Sequence, residues 1–227
     1  MSDTEAEAET QQIKPVDAED KRKVVIVLES ACLETVKTKK GYVLLNSDDH
    51  KSIHKKMGKD PATSRPDITH QMLLTLLDSP LNKKGYLQVY IRTEKNVLIE
   101  VNPKIRIPRT YKRFAGLMVQ LLHKLKIRSA EGSQTLMKVI KNPVTSHLPI
   151  GARRIGTSVT GALVDPIDLV SALPDNEPIV FVFGAIAHGH INLDYVEETV
   201  SFSKYPLSGS VAVGKLMNAF EHCWDIL

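Results

Sequence analysis

The sequence predicts an α/β fold with a largely parallel sheet, and three observations carry that prediction. Two short runs, Val24-Val25-Ile26-Val27-Leu28 and Ile179-Val180-Phe181-Val182-Phe183, are apolar throughout and rich in β-branched or aromatic side chains, as strands covered on both faces must be. Other segments repeat their apolar residues at three- and four-residue steps, the pattern of amphipathic helices. Strands that alternate with helices give parallel sheets, because a parallel connection needs the length of a crossover.

Taken in order, the first twenty residues hold Asp3, Glu5, Glu7, Glu9, Asp17, Glu19 and Asp20 against a single Lys14. A segment so charged and so poor in apolar residues cannot repay the entropy of folding, so residues 1–20 are expected to be a disordered acidic tail and 21–227 one domain. After the Val24–Leu28 strand, Tyr42-Val43-Leu44-Leu45 is a weaker strand candidate. Ser64-Arg65-Pro66-Asp67 opens a helix with Ser64 as its N-cap, running through Leu73, Leu74, Leu76 and Leu77 to the stop Asp78-Ser79-Pro80. Leu87-Gln88-Val89-Tyr90-Ile91 and Val97-Leu98-Ile99-Glu100-Val101 flank a polar turn and read as a hairpin. A segment from Leu136 to Ile140 starts a helix or strand that ends at Asn142-Pro143. From Val213, the residues Leu216, Met217, Phe220, Cys223, Trp224 and Leu227 form the apolar face of a last helix.

The helix expected after Arg106-Ile107-Pro108-Arg109 is the most distinctive. Pro108 suits a first helical turn. Winding the chain at about 100° per residue puts Phe114, Leu117, Met118, Leu121, Leu122 and Leu125 on one side. The other side gathers Arg109, Lys112, Arg113, Gly116, Gln120, His123 and Lys124, with Arg106 just ahead. A solvated amphipathic helix has this pattern, and so does a nucleic-acid interface, which uses arginines with little acidic compensation to hold phosphates.

Composition sets the class. The chain has 227 residues, 42% of them hydrophobic, which is enough for a large core. Its net charge of +4 understates the basicity of the part beyond the acidic tail. Cys32 and Cys223 lack metal-type spacing and read as reduced, partly buried thiols. No apolar run reaches the length of a membrane span, and an acidic N-terminus is neither a signal nor a transit peptide, so a soluble intracellular protein without membrane contact is expected.

Several stretches could carry chemistry. The segment from Gly209 to Lys215 imitates a phosphate-binding loop, but Leu216 stands where a magnesium-holding hydroxyl is required and no strand precedes it. Gly184 and Gly189 do follow a strand. They permit either a sharp turn or close approach of the backbone to a ligand at the carboxyl end of the sheet. Ser203-Lys204-Tyr205-Pro206-Leu207-Ser208 is a second loop, leading into the last helix. Arg65 and Asp67 are either a surface arginine and a capping carboxylate, or an arginine braced to meet phosphate or a base edge. His70, His123, His147 and His188 form no nucleophile or metal constellation, so no catalytic residue and no metal ligand is assigned.

Long blocks of the chain resemble one family. They are Leu44-Leu45-Asn46-Ser47-Asp48-Asp49-His50, Arg65-Pro66-Asp67-Ile68-Thr69-His70-Gln71, Leu76-Leu77-Asp78-Ser79-Pro80, residues 99–123, Val139-Ile140-Lys141-Asn142-Pro143 and Tyr205-Pro206-Leu207-Ser208. The family is that of the eukaryotic small-subunit rRNA pseudouridine N1-methyltransferases, ribosome-assembly factors of the SPOUT class, and the likeness covers 21–227. It implies a C-terminal trefoil knot, an exception to the rule against threading, within an α/β sheet that carries helices on both faces. It also implies an S-adenosylmethionine pocket lined by Thr157, Gly184, Gly189, Phe202, Ser203, Lys204, Tyr205, Pro206 and Leu207. Arg65, Arg106, Arg109 and Arg113 would contact RNA, with Asp67 orienting Arg65. A homodimer, small-subunit pre-rRNA and other pre-ribosomal assembly factors would be its partners, in the nucleus and nucleolus. His190 departs from the lysine that the family pattern leads one to expect. The competing function is a non-catalytic pre-rRNA chaperone, consistent with a basic face and no acid–base constellation.

Overall fold

The all-apolar run that begins at Val24 lies at the centre of the sheet, with strands on both sides and packed layers on both faces. The computed structural model describes residues 9–10, 22–174, 177–189, 191 and 194–227. His190 and, apart from Glu9–Thr10, the tail of residues 1–20 lie outside the described residues. The strands are β1 (Glu9–Thr10), β2 (Val24–Ala31), β3 (Thr35–Thr38), β4 (Gly41–Leu44), β5 (Leu87–Thr93), β6 (Leu98–Val101), β7 (Ile105–Arg106), β8 (Lys126–Arg128), β9 (Thr135–Ile140), β10 (Arg153–Leu163), β11 (Ile179–Gly184) and β12 (Glu198–Ser201). The helices are α1 (Lys51–Met57), α2 (Pro66–Asp78), α3 (Pro80–Lys84), α4 (Tyr111–Lys124), α5 (Pro166–Ser171) and α6 (Gly209–Cys223).

The main sheet has the order β12-β10-β11-β2-β5-β6-β9-β8. The first five strands are mutually parallel, and β6, β9 and β8 continue antiparallel. This is the expected α/β class with a mostly parallel sheet. Alternation along β2 divides the core. Val24, Ile26 and Leu28 enter the larger cluster, with Met72, Leu73 and Leu76 of α2, Phe114 and Leu117 of α4, and Leu216 and Phe220 of α6. Val25 and Val27 enter a smaller one with Tyr90, Val144, Ala152 and Val182. Burial of each such side chain contributes about 1.5–3 kcal/mol, and burial on both faces is why β2 reads as continuous rather than alternating.

Helices were expected on both faces, but five of the six described gather on one. Side chains of α2 to α6 belong to the larger cluster. The face opposite carries the 3₁₀ turn Val144–His147 with Leu148, Tyr195 and Val196. That cluster is small enough for a turn and loop residues to close it.

Several boundaries move. Arg65, not Ser64, caps α2, because Ser64 closes the preceding 3₁₀ turn and its hydroxyl is buried without a partner. Pro108 lies outside α4, whose N-cap is Thr110, and Leu125 ends that helix in a left-handed conformation, 56% exposed. The last helix starts at Gly209, so the loop-like Gly209–Lys215 stretch is helical, and Ser208 Oγ accepts from Val211 N. Leu227 lies beyond it, exposed.

Strand β10 pairs with β12 twice. Thr157 and Ala162 both stand opposite Val200, and the intervening residues arch around it. Gly161 makes the arch possible, since a Cβ there would come 2.6 Å from the Val200 carbonyl carbon.

Candidate active site and nucleic-acid interface

Chain order reverses between β2 and β11. From β2 the chain goes to β5 on one side, while β11, β10 and β12 build the other. The carboxyl ends of strands at such a point leave a crevice where ligands of open α/β sheets bind. Here it is a cleft of about 320 Å³, within the usual range for small-ligand sites. Three separate stretches line it: the arch from Thr157, the end of β11 with the loop to Gly189, and the segment from Val200 to Ala212.

Of the expected cofactor residues, Thr157, Gly184, Gly189, Phe202, Ser203, Tyr205, Pro206 and Leu207 line this cleft. Lys204 does not. It is exposed, on the outer side of a turn in which Tyr205 N donates to Ser203 Oγ at 3.0 Å. Thr157 Oγ1 donates to the Val182 carbonyl at 3.0 Å and ties the arch to β11. Gly189 has φ +99°, a conformation that favours glycine, whereas Gly184 needs only room, because a Cβ there would stand 2.9 Å from Ile191 Cδ1.

A buried carboxylate near this crevice escaped sequence reasoning. Glu29, at the end of β2, is fully buried and accepts from Arg92 Nε at 2.7 Å and from the Tyr195 hydroxyl. Its own carbonyl accepts from Ala185 N at 2.8 Å. Burial, then the bond to Glu29, pushes the Tyr195 phenol far above its usual range, so it stays a donor. Glu29 thereby fastens both ends of the loop between Ala185 and Tyr195. An acidic residue at the end of an otherwise apolar strand was the available signal.

Arg65 and Arg109 stand at opposite ends of α2. Arg65 Nε and Nη2 donate to Asp67 Oδ1 and Oδ2 at 2.8 and 2.6 Å, a two-pronged bond that fixes the guanidinium plane. Arg109 pairs with Asp78 at the other end of α2. Lys83 joins this end. Burial lowers its pKa; Asp78 opposes that, and the charges of Arg106 and Arg109 reinforce it. Arg113 is exposed in the first turn of α4. Only Arg113 of the four is therefore on the helix. Arg106 is on β7 and Arg109 precedes α4, because His70 Nε2 donates to the Pro108 carbonyl at 2.7 Å and holds that segment against α2. His70 also stacks on Phe114, with ring centroids 4.5 Å apart at 19°.

Helix α2 joins the two regions. Its Met72 packs against Gly209 at the cleft rim, and its two ends carry Arg65 and the partner of Arg109. Residues 26–221 match the family model described as EMG1/NEP1 methyltransferase. The chain belongs to that family. It is 57% identical over 206 residues to the human ribosomal RNA small subunit methyltransferase NEP1, spanning 91% of this chain and 84% of that protein. The Drosophila melanogaster NEP1 is 51% identical over 233 residues, spanning 99% and 92%. The archaeal Nep1 of Staphylothermus marinus is 33% identical over 199 residues, spanning 83% and 84%. The fold is shared with the crystal structure of Archaeoglobus fulgidus Nep1 bound to S-adenosylhomocysteine, at a TM-score of 0.68 and 23% identity over 89% of this chain and 99% of that one. As a member of the EMG1/NEP1 family, the chain is a methyltransferase.

Proposed function

We propose that this protein transfers a methyl group from S-adenosylmethionine to N1 of a pseudouridine in small-subunit rRNA. The observation that carries the reading is that α2 packs Met72 against Gly209 at the cleft while its ends meet the arginine strip, holding Arg65 and pairing with Arg109. A base drawn from RNA held by Arg65, Arg106, Arg109 and Arg113 has a cleft within reach of the same helix.

The residues present fit the cofactor. Phe183, Phe202, Leu207 and Ala212 give apolar walls for an adenine, and Gly184 and Gly189, at the two ends of the loop after β11, bring backbone groups to the cleft without a side chain of their own. When bound, S-adenosylmethionine would supply the electrophilic sulfonium methyl and be left as S-adenosylhomocysteine, while N1 gives up its proton as the new bond forms. The chain's own contribution is position and dryness: it holds methyl and nitrogen in line and keeps water out. The target base leaves its stack to be reached, and the arginines grip the phosphates beside it.

We further read the enzyme as a homodimer in which the C-terminal segment threads the β10 arch as a knot. Val159, Leu163, Ile167, Tyr205 and Val211 leave large apolar surfaces exposed on β10, α5, α6 and the loop before it, and a second copy would cover them. An enzyme that modifies pre-rRNA would act in the nucleolus, beside other assembly factors.

Incubation with methyl-labelled cofactor and matched rRNA fragments tests the reading. Label should enter the pseudouridine-containing fragment alone; equal labelling of the uridine control would overturn the substrate assignment. Calorimetric titration should give micromolar binding of S-adenosylmethionine and S-adenosylhomocysteine. An absence of binding would instead support an RNA chaperone.

A further inference from the structure

We propose that the tip of the β3–β4 hairpin and the C-terminal end of α4 form a second RNA-contact site. On it, one base of a single-stranded flank of the substrate stacks against Tyr42. The inference rests on the RNA-binding reading and extends it to a surface beyond the four arginines.

Tyr42 is 51% exposed, unlike the buried Tyr86 and Tyr90. Its ring centroid lies 4.4 Å from that of His123, with planes at 59°. The imidazole is itself fixed, since Nδ1 donates to the Val119 carbonyl at 2.8 Å. Two residues along, Leu44 is buried and anchors the hairpin in the core. The phenol ring is thus supported on one side while half its surface meets solvent. Proteins use such an aromatic to stack unpaired bases.

The surrounding charge selects the ligand. Residues 35–44 contain Lys37, Lys39 and Lys40 and no carboxylate, and residues 106–128 contain seven Lys and Arg and no carboxylate. Lys37 stands directly opposite Tyr42 in the hairpin ladder, hence on the same face. Lys124 and Lys126, beside His123, are exposed. Phosphates on either side of a stacked base would meet these cations.

The site also continues the arginine strip. Arg113, Gly116, Gln120 and His123 succeed one another at three- and four-residue steps, so they follow one side of α4. Ten residues of helix span about 15 Å, a distance that a few nucleotides of extended strand can bridge. The strand would run from Arg113 at the start of α4 to Tyr42 at its end.

The test compares two pseudouridine-containing RNAs by fluorescence polarisation: a minimal stem-loop, and the same stem-loop with about six unpaired nucleotides at each end. Wild-type protein should bind the extended RNA more tightly. Tyr42→Ala should weaken binding of the extended RNA about tenfold and leave the minimal RNA unaffected, whereas Tyr42→Phe should bind both normally. An abasic nucleotide at the stacking position should abolish the difference between wild type and Tyr42→Ala. Equal affinity of wild type for both RNAs, or equal weakening of both by Tyr42→Ala, would overturn the platform. Loss of binding to both RNAs in Arg113→Ala tests the underlying interface separately, and wild type that bound neither RNA would reject that reading itself.

Discussion

His70 and Pro108 lie on different elements, yet the imidazole Nε2 donates to the Pro108 carbonyl across 2.7 Å while the same ring stacks on Phe114. One buried histidine therefore sets the path of the chain between Arg106 and Arg113. His70→Ala removes a hydrogen bond of about 0.5–1.5 kcal/mol and the stack beneath it. It should lower RNA affinity severalfold and leave S-adenosylmethionine affinity unchanged. Titrations of both ligands check this, and a parallel loss of cofactor binding would refute it.

The same residue gives a pH dependence. Burial holds the His70 imidazole below its usual value, although the Pro108 carbonyl acts in the opposite direction. Between the ordinary value near 6.5 and the lowered one, the unfolded chain binds a proton that the folded chain does not. Its contribution to stability is therefore complete above about pH 6.5 and is lost as pH falls through the folded value. Urea midpoints at about pH 7.5 and 5.5 should differ less in His70→Gln than in wild type.

Asp67 exists in this reading to orient Arg65. Asp67→Ala should weaken RNA binding, and the double variant with Arg65→Ala should be little worse than Arg65→Ala alone. Binding isotherms of the two single variants and the double variant measure the coupling, and fully additive losses would contradict the bracing role.

Arginine contacts should report themselves through salt. Arg106→Ala, Arg109→Ala and Arg113→Ala should each weaken RNA binding and flatten its logarithmic salt dependence by about 0.7, with cofactor binding unaffected. Asp78→Asn should act oppositely, because it releases Arg109 from its ion pair. Higher RNA affinity at low salt and a steeper slope are expected, and an unchanged slope would show that Arg109 already meets phosphate while paired.

Gly184 and Gly189 should fail for different reasons. Gly189→Val forces a side chain into φ +99° and should weaken cofactor binding through backbone strain. Gly184→Val should crowd Ile191, so adding Ile191→Ala should restore much of the affinity lost by Gly184→Val and none of that lost by Gly189→Val. Calorimetry on protein with an unchanged melting profile separates the two.

What the sequence discloses follows burial. Strands β2 and β11 and helices α2, α4 and α6 are legible because a face or a whole element is apolar. Strand β10 is not: Arg153–Leu163 is mostly polar or glycine, since its side chains line a cleft or face outward, and it went unrecognised along with β12. The start of α4 was misjudged for another reason. Pro108 fits a helix by local preference, but a contact from His70, 38 residues away, decides its conformation. Of the residues expected to line a pocket, Lys204 alone does not line this cleft, and its exposure is not legible in a list of neighbours.

The cleft takes one wall from residues between Val200 and Ala212, the last in chain order of the three stretches that line it. Domains begin to fold from the N-terminus while they are being made, so β2, β5, β6, β9 and β8, which are contiguous in the sheet, can pair before that wall exists. A nascent chain would carry Arg65, Arg106, Arg109 and Arg113 without a complete cleft. Competence for chemistry waits for this wall, and a cofactor that then binds adds its own free energy to closure.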